Sequence, residues 1–488
     1  MVQLMFSKEF DRWSKDARPV VSMLTSSRKG HKIFQEDCSI KEKAMRKKEH
    51  RISYLVLALV CVFVLIPTWA QSQQKGEVRI LTLKECLDLA LKNNPTISLN
   101  REKVLELVQD YNIARSNLFP AISLSAYANW YDPGRLSPAG GTSPTVLFGQ
   151  ENLGTARVKQ TFFDGFKTYW DMKGAKIGRQ AQEEALRGTR QEVLSQVYQS
   201  YYRLLEAKET LGVAEESKKQ REGFRNMAEE LLKAGKVTKL DFLRSDAQVI
   251  DADQTIVQAQ NNIILAKRIL KKTMGLRDEE EIDIPGGTPK MSPEPLDELA
   301  LWEKVKEKNS DLRRISLDLD RSGANISSAR ADYFPVISFQ ASYGYRNRDV
   351  GGTADEYTYG FFLDYPIFSG GLTRAKVAKA ESSYLQLQDS RKALLDQLRV
   401  DLNTALSQIR DALKGVDSVE SSIRVNQEAY NATMAMYQAG KLTSLDVLKA
   451  QVDLINSKAG YVRYLADYQT ALAQLRKITG EGETSYEK

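Results

Sequence analysis

Two stretches of the chain, SNLFPAISLSAYANWYDPG (116–134) and ADYFPVISFQASYGYRNRD (331–349), share one pattern, and this pattern decides the fold. In each stretch a helix-forming segment runs into a Phe-Pro pair, and the proline, Pro120 or Pro335, is expected to end the helix. The hydrophobic period then changes to two, which is typical of a β-strand with one apolar face. A turn-rich loop and a second alternating segment follow, so the sequence predicts β-hairpins over 120–163 and 335–368.

The predicted strands have the dimensions of strands that cross a lipid bilayer. Each is about ten residues long, with one apolar face and aromatic residues at its ends, as in a tilted membrane strand with an aromatic girdle. Two soluble hairpins packed on a core remain the alternative. In lipid, four strands cannot stand alone as an open sheet, because their unpaired edges would be prohibitive. The membrane interpretation therefore predicts that several copies of the chain pool their strands in a closed barrel.

Long tracts without proline surround the hairpins and predict long helices. No proline occurs between Pro144 and Pro285 or after Pro366, and proline inside a helix costs about 3 kcal/mol. Apolar residues in these tracts recur every three or four positions. The pattern predicts one helix of about 67 residues from Lys167 to Lys233, roughly 100 Å long, which needs antiparallel helical neighbours to cover its apolar stripe. A cytoplasmic coiled coil or a spectrin-like rod explains such tracts but not the hairpins.

The chain contains one unit of about 200 residues twice. AGKVTKLDFL begins at Ala234, and AGKLTSLDVL begins 205 positions later at Ala439. The two Phe-Pro pairs are 215 positions apart, so the difference of ten residues falls in the first hairpin loop. The expected organisation is an N-terminal extension with a signal peptide (1–70), a first repeat (71–276, helical hairpin 167–274), a connector (277–295), a second repeat (296–480, helical hairpin 371–478) and a C-terminal tail (481–488).

Each AGK segment is expected to join the long outgoing helix to a returning helix. Gly235 and Gly440 suit the left-handed residue that closes a helix. The threonine three residues later suits the N-cap of the next helix, and an aspartate three residues beyond it completes a capping box near the positive helix end. The expected pairs are Thr238 with Asp241 and Thr443 with Asp446. These aspartates either only cap their helices or also have a functional role.

Charge and histidine content argue against a nucleic-acid-binding protein or an enzyme. The net charge is +7, but residues 1–70 carry 13 Lys or Arg and 7 Asp or Glu, which leaves the rest near neutral and without a footprint for phosphate backbones. Both histidines, His31 and His50, lie in that leader, which removes histidine bases and most transition-metal sites from the exported part. Asp251 and Asp253, two positions apart on a helix, point away from each other. We therefore expect no catalytic residue, cofactor or metal.

The leader resembles a secretory signal peptide. Its apolar run, 54–66, is shorter than the ~20 residues of a spanning helix, follows basic residues and precedes small residues at Thr68 and Ala70. We expect cleavage after Ala70; an uncleaved anchor and lipidation of Cys61 are the alternatives. The stretch from Met45 is a complete signal peptide by itself, so residues 1–44 are a candidate misassigned upstream start.

In their order and duplication, these motifs resemble those of the outer membrane efflux protein family, the TolC-like channel-tunnels. The resemblance runs from Leu81 to Gly480. It rests on ALKNNP (90–95), the two Phe-Pro junctions, FDGF (163–166), FSGG (368–371) and the two AGK tips. It implies a mainly α fold with a membrane β-barrel. Three copies would each give four strands to a twelve-stranded barrel in the outer membrane of a Gram-negative bacterium, continuous with a hollow α-helical barrel in the periplasm.

The resemblance also implies a function and partners. Such proteins are passive exit ducts of tripartite efflux pumps or type I secretion systems, joined by a periplasmic adaptor (membrane fusion) protein to an inner-membrane transporter of the RND or ABC type. No nucleic acid is implied. The alternative from the residues alone is a periplasmic helical scaffold similar to an adaptor.

At the periplasmic tip the resemblance implies a gate. Tyr437 and Asp241 match two members of the bonded set that closes relatives, and Asp446 matches the first carboxylate of a ring at the entrance. Leu442 and Lys449 stand where relatives have an arginine and a second ring aspartate. Lys441 is the candidate substitute for the missing cation.

Overall fold

The computed structural model describes residues 79–130, 150–287, 291, 296–348 and 352–481, so the leader with Ala70 lies outside the described part. The elements in chain order are β1 (Arg79–Ile80), α1 (Leu83–Asn93), α2 (Pro95–Ser116), β2 (Ala121–Trp130), β3 (Gln150–Phe163), α3 (Lys167–Lys233), α4 (Lys239–Met274), β4 (Ile282–Asp283), α5 (Glu298–Lys308), α6 (Ser310–Ala331), β5 (Val336–Arg348), β6 (Gly352–Asp364), α7 (Leu372–Gln438) and α8 (Ser444–Ile478). The two halves follow one plan: two helices in line, a hairpin, a very long helix and a returning helix.

The predicted mainly helical fold is confirmed. The long helices α3 and α7 both contain 67 residues, and α3 begins and ends where the pattern of the sequence predicts. The four long helices pack side by side in the order α4, α3, α8, α7, so that the first helical hairpin lies against the second through α3 and α8. Within the described residues, no helix is both long and apolar enough to span a bilayer.

The break between the first two helices of each repeat is held by an asparagine. Asn94, in the ALKNNP motif, accepts a hydrogen bond at Oδ1 from the backbone of Thr96 (2.8 Å), and its Nδ2 donates to the carbonyl of Thr273 at the end of α4 (2.8 Å). Asn309 occupies the same place between α5 and α6, and its Nδ2 donates to the carbonyl of Ile478 at the end of α8 (3.0 Å). Each asparagine therefore caps one helix and fastens it to the end of another.

A glycine completes each of these joints. Gly275 follows α4 with φ +72°, and Gly480 follows α8 with φ +68°. A Cβ atom at Gly275 would lie 2.4 Å from the carbonyl oxygen of Asn93, and one at Gly480 would lie 2.4 Å from that of Lys308. Both positions thus require glycine for the backbone angle and for the close approach of another chain segment.

The two hairpins combine in one antiparallel sheet with the strand order β2-β3-β5-β6. The register pairs Ile122 with Val158 and Ala341 with Tyr359, which places the alternating apolar residues of all four strands on one face. Most large side chains of this face are more than half exposed in the single chain, among them Ile122, Leu124, Trp130, Tyr343, Tyr345, Tyr357, Tyr359, Phe361 and Leu363. Among the described residues, β2 and β6 each pair on one side only.

Two local features differ from the sequence-based expectation. The returning strand of the second hairpin, β6, ends at Asp364 instead of continuing towards residue 368. Pro366 has no backbone N–H to donate to the hydrogen bonds of the sheet. Gly370 and Gly371, with φ +62° and +82°, then turn the chain into α7. In addition, the expected connector contains β4, which pairs in parallel with β1; strands of two residues have no periodicity that a sequence reveals.

Three apolar clusters hold the helices together. Two lie at the helix ends near the asparagine joints, around Leu204 and Leu270 in the first repeat and around Leu402 and Ile409 in the second. The third lies near the AGK tips and joins the two repeats. Its buried members are Phe224, Tyr430, Tyr437, Val447 and Leu454. The tips of both helical hairpins therefore form one packed unit within the chain.

Candidate functional site at the helix tips

Both tips have the same backbone geometry. Gly235 and Gly440 take left-handed angles, φ +70° and +71°, immediately after the long helices. Thr238 is the N-cap of α4, and Thr443 is the N-cap of α8. The short distance from the glycine to the N-cap reverses the chain in a few residues.

An aspartate closes each turn. The backbone N–H and the hydroxyl of Thr238 donate to Oδ2 of Asp241 at 3.2 and 2.7 Å. The same two groups of Thr443 donate to Oδ2 of Asp446 at 2.9 and 2.7 Å. In both aspartates one carboxylate oxygen is used by the cap, and the other oxygen points away from the turn and is available for a further partner.

For Asp241 that further partner comes from the other repeat. The hydroxyl of Ser444, a side chain that is almost fully buried, donates to Oδ1 of Asp241 at 2.6 Å. The hydroxyls of Ser444 and then of Thr238 lower the pKa of the Asp241 carboxyl, so it is ionised at neutral pH. This contact joins the two tips across 203 residues of sequence. Sequence reasoning missed Ser444, because no local pattern indicates a contact at this separation.

Tyr437 lies beside Asp241 but does not bind it. Its ring is buried against Phe224, with 5.2 Å between the ring centroids. Its hydroxyl has no hydrogen-bond partner among the described residues. Burial, and next the charge of Asp241, raise the pKa of Tyr437. The bond between Tyr437 and Asp241 that the resemblance implied is therefore absent from the single chain, where Asp241 accepts hydrogen bonds from Thr238 and Ser444 instead.

The remaining residues of the expected gate lie around Asp446. Asp446 is exposed, and hydrogen bonds from Thr443 lower its pKa. Lys441 and Lys449 are also exposed, and neither forms an ion pair within the described part of the chain. Leu442 is half-buried in the shallow cleft between the two tips. The structure thus brings Asp241 and Tyr437 together with Ser444, and leaves the three charged residues in solvent.

The helix-to-strand junctions lie at the opposite end of the long helices. Pro120 and Pro335 each stand one residue before a strand, β2 or β5. Beside the second junction, Asp332 binds the ammonium groups of Lys167 at 2.6 Å and Lys376 at 2.7 Å. Burial opposes the charged form of Asp332, but these two lysines outweigh it and lower its pKa. Asp332 therefore ties the N-terminal ends of both long helices to the second junction.

The polar face of the sheet carries an ion-pair network. Arg346 on β5 lies 3.4 Å from a carboxylate oxygen of Glu151 on β3 and 2.8 Å from one of Glu356 on β6. The single arginine thus links three neighbouring strands on the face opposite the aromatic side chains.

Neither a metal centre nor a reactive thiol stands out in the described residues. No group of three or more His, Cys, Asp and Glu side chains there is arranged to hold a metal. Cys86 is fully buried in the first core cluster, and burial raises the pKa of its thiol to about 12. A thiol with such a pKa is a packed core residue at neutral pH and not a nucleophile.

Comparison with known proteins gives matches over most of the chain. The family described as "Outer membrane efflux protein" matches residues 86–276 and 301–481. The chain is 26% identical over 425 residues to the outer membrane protein OprJ of Pseudomonas aeruginosa, covering 82% of this chain and 84% of OprJ. It is also 26% identical over 419 residues to the solvent efflux pump outer membrane protein SrpC of Pseudomonas putida, covering 82% and 85%.

Solved structures share the fold. The outer membrane channel CmeC of Campylobacter jejuni superimposes with a TM-score of 0.72 at 17% identity, over 86% of this chain and 92% of CmeC. Because the similarity covers 86% of the chain, it includes both repeats.

Proposed function

The chain belongs to the outer membrane efflux protein family, and we propose that three copies of it form the outer-membrane exit channel of an efflux system. The observation that carries this proposal is the four-stranded sheet. Its apolar face is exposed, its other face is polar, and its two outer strands each have an edge that pairs with no other described strand. In lipid such a sheet is stable only when copies of it close into a barrel. Three copies would give the twelve strands that the family resemblance implies.

The two faces of the sheet suit the two sides of a barrel wall. Trp130, Tyr357 and Tyr359 would face lipid, where aromatic rings pack against acyl chains and headgroups. Arg346 and its two glutamate partners would line the lumen, where water and ions reach them. Alternation of lipid-facing and lumen-facing residues along each strand is the property of a transmembrane β-barrel.

The helices would extend the duct into the periplasm. A helix of 67 residues is roughly 100 Å long, and nearly all of its backbone hydrogen bonds are formed within the helix. Twelve long helices, four from each copy, would surround a water-filled passage. At its far end the tips narrow the passage, and three copies of Asp446 near the threefold axis would attract cations, as charged rings do in pores.

We propose that the chain is a passive conduit without a catalytic step. Transport would be driven by an inner-membrane transporter of the RND or ABC type and linked to the channel by a periplasmic adaptor protein. The relative SrpC is named as the outer membrane protein of a solvent efflux pump, which supports an efflux role. Small molecules are thus the proposed cargo class, in preference to folded proteins.

Planar bilayer recording tests the channel and the role of Asp446 together. The purified protein should produce an ohmic conductance, and the Asp446→Ala variant should shift the reversal potential in a salt gradient towards lower cation selectivity. Thr443→Ala is the control variant, because it removes the hydroxyl that donates to Asp446 but keeps the backbone N–H bond and the carboxylate. It should leave the reversal potential unchanged.

Two results would contradict the proposal at different levels. An unchanged reversal potential in Asp446→Ala would remove Asp446 from the entrance. Absence of any conductance, together with release of the protein in the soluble periplasmic fraction, would instead favour the helical scaffold.

A further inference from the structure

The two repeats correspond residue by residue along their helical hairpins. Lys167 and Leu372 begin the long helices, and Lys239 and Ser444 begin the returning helices; both separations are 205 positions. Each contact between the two repeats within the chain therefore has an equivalent pair of positions, found by moving each residue to the corresponding place in the other repeat. We call this equivalent pair the image of the contact. In a closed ring of copies, that image is a contact between neighbouring subunits.

The surfaces that would form this image contact are the ones left uncovered. Within the chain, α3 of the first repeat packs against α8 of the second. Val462 on α8 is 8% exposed, whereas its equivalent Val257 on α4 is 54% exposed. Ser195 on α3 is 2% exposed, whereas its equivalent Val400 on α7 is 59% exposed. The outer faces of α4 and α7 thus carry apolar residues at positions that the other repeat buries.

The uncovered face of α4 has the spacing of a helix that packs along a second helix. Leu243, Ile250, Val257 and Ile264 recur every seven residues, and each is at least half exposed in the single chain. A heptad stripe of this kind predicts a long antiparallel or parallel helical neighbour. The image relation identifies that neighbour as α7 of a second copy.

The polar contact at the tips has an image as well. Within the chain, Ser444 donates to Oδ1 of Asp241. The residue equivalent to Ser444 in the first repeat is Lys239, and the residue equivalent to Asp241 in the second repeat is Asp446. The contact within the chain joins a hydroxyl to a carboxylate, whereas its image joins an ammonium group to a carboxylate and so pairs two opposite charges.

Both members of this pair can still bind a further partner. Asp446 uses Oδ2 for its own helix cap, as Asp241 does, and its Oδ1 accepts no hydrogen bond from the described residues. Lys239 is exposed, and among those residues its ammonium group has no ion-pair partner. As the first residue of α4, Lys239 also places a cation at the positive end of a helix, where a second carboxylate besides that of Asp241 would be favourable.

We propose that Lys239 of each subunit forms an ion pair with Asp446 of the neighbouring subunit and so joins the tips into a ring. The inference rests on the proposed trimer. Around the ring, hydrogen bonds between Ser444 and Asp241 inside a subunit alternate with ion pairs between subunits. Lys239 and Asp446 are both exposed in the single chain, and salt weakens an exposed ion pair, so these ion pairs are the contacts that break when the tips separate. The Asp446 carboxylates attract cations at the entrance once the tips have opened.

A second image pair at the other end of the helices agrees with this arrangement. Within the chain, a Cβ atom at Gly174 on α3 would lie 3.3 Å from Oδ1 of Asn325 on α6. The equivalent positions, 205 later and 215 earlier, are Lys379 on α7 and Asp110 on α2. They too have opposite charges and are exposed in the single chain. Charge complementarity at both ends supports the same packing of neighbouring copies.

Disulfide cross-linking tests the pair in the full channel. A Lys239→Cys, Asp446→Cys double variant should form covalent dimers and trimers on oxidation, visible on denaturing gels without reductant. The Asp241→Cys, Ser444→Cys variant is the matched control and should cross-link only within the chain, leaving a monomer of altered mobility. Cys86 is fully buried, and the other two cysteines lie in the predicted leader, so the background is low.

Conductance gives a second measurement that a merely structural role would not change. Lys239→Glu should place two carboxylates together and raise the ratio of open to closed tips by on the order of two- to fivefold, the range of an exposed ion pair. Lys236→Glu makes the same change of charge three residues earlier and should have little effect. Raising the salt concentration should narrow the difference between wild type and Lys239→Glu.

The outcomes separate this inference from the proposed channel. A trimeric, conducting protein whose Lys239→Cys, Asp446→Cys variant stays monomeric on denaturing gels would overturn the ion pair and leave the channel standing. A protein that is monomeric in detergent and does not conduct would overturn the channel itself.

Discussion

Replacing Gly275 by alanine should destabilise the protein much more than replacing Gly235, although both glycines have left-handed angles, φ +72° and +70°. In either position an L-residue costs about 1–2 kcal/mol for the backbone angle alone. At Gly235 no atom of the described residues lies within 4 Å of the added Cβ atom, so the cost ends there.

At Gly275 the added Cβ atom would lie 2.4 Å from the carbonyl oxygen of Asn93, a distance that the joint cannot accept without moving. Overpacking of this kind costs about 1–3 kcal/mol, and loss of the adjacent hydrogen bond from Asn94 to Thr273 costs about 1 kcal/mol more. The expected total is about 3–6 kcal/mol. The second repeat provides an independent copy of the comparison, with Gly480 in the crowded place and Gly440 in the open one.

Thermal unfolding followed by circular dichroism at the helical band measures the difference in detergent solution. For a unit of about 200 residues, 1 kcal/mol corresponds to a shift of about 2–4 °C in the midpoint. Gly275→Ala should therefore lower the midpoint by about 10 °C and Gly235→Ala by about 4 °C. Equal shifts for the two variants would show that the close approach at the asparagine joint does not exist, and would refute the reasoning.

Three further predictions follow from the same contacts. Asn309→Ala should destabilise the protein by about 2–3 kcal/mol, because it removes a helix cap and leaves the carbonyl of Ile478 without its buried donor; a urea unfolding midpoint equal to wild type would contradict this. Asp332→Asn should cost stability at pH 7, and the deficit should begin to shrink as the pH falls below about 4 and vanish only below the lowered pKa of Asp332 in the fold, because a carboxyl whose pKa is lowered in the fold stabilises it only while ionised; a deficit of the same size at pH 5 and pH 2 would exclude the charge as its cause. Cys86 should resist maleimide at neutral pH in the folded protein and react fully in denaturant, whereas rapid labelling of the folded protein would contradict its burial.

The sequence predicted the parts of the fold that local patterns determine. Both 67-residue helices follow from tracts without proline and an apolar period of three to four residues. The strand starts follow from the change of period after Pro120 and Pro335. In these cases each residue's preference agrees with its neighbours over ten positions or more, so the signal adds up along the chain.

The same local patterns do not predict contacts between segments that are distant in the sequence. The hydrogen bond from Ser444 to Asp241 depends on how two hairpins pack, and a serine after an N-cap threonine gives no sign of it. The pairing of β1 with β4 involves two residues on each side, too few for any period. Tyr437 shows the limit of family resemblance, because its ring is buried near Asp241 while its hydroxyl makes no hydrogen bond to that residue.

Site-directed spin labelling of two adjacent positions tests most directly whether the exposed aromatic face of the sheet contacts lipid. Tyr359 and Thr358 are neighbours on β6 whose side chains point to opposite faces of the sheet, and a nitroxide can be attached to a cysteine at either position in reconstituted protein. The label at 359 should collide with oxygen dissolved in the bilayer and be shielded from a water-soluble nickel complex, whereas the label at 358 should show the reverse. Equal access of the nickel complex to both labels would mean that water covers both faces, and the membrane barrel would then be wrong.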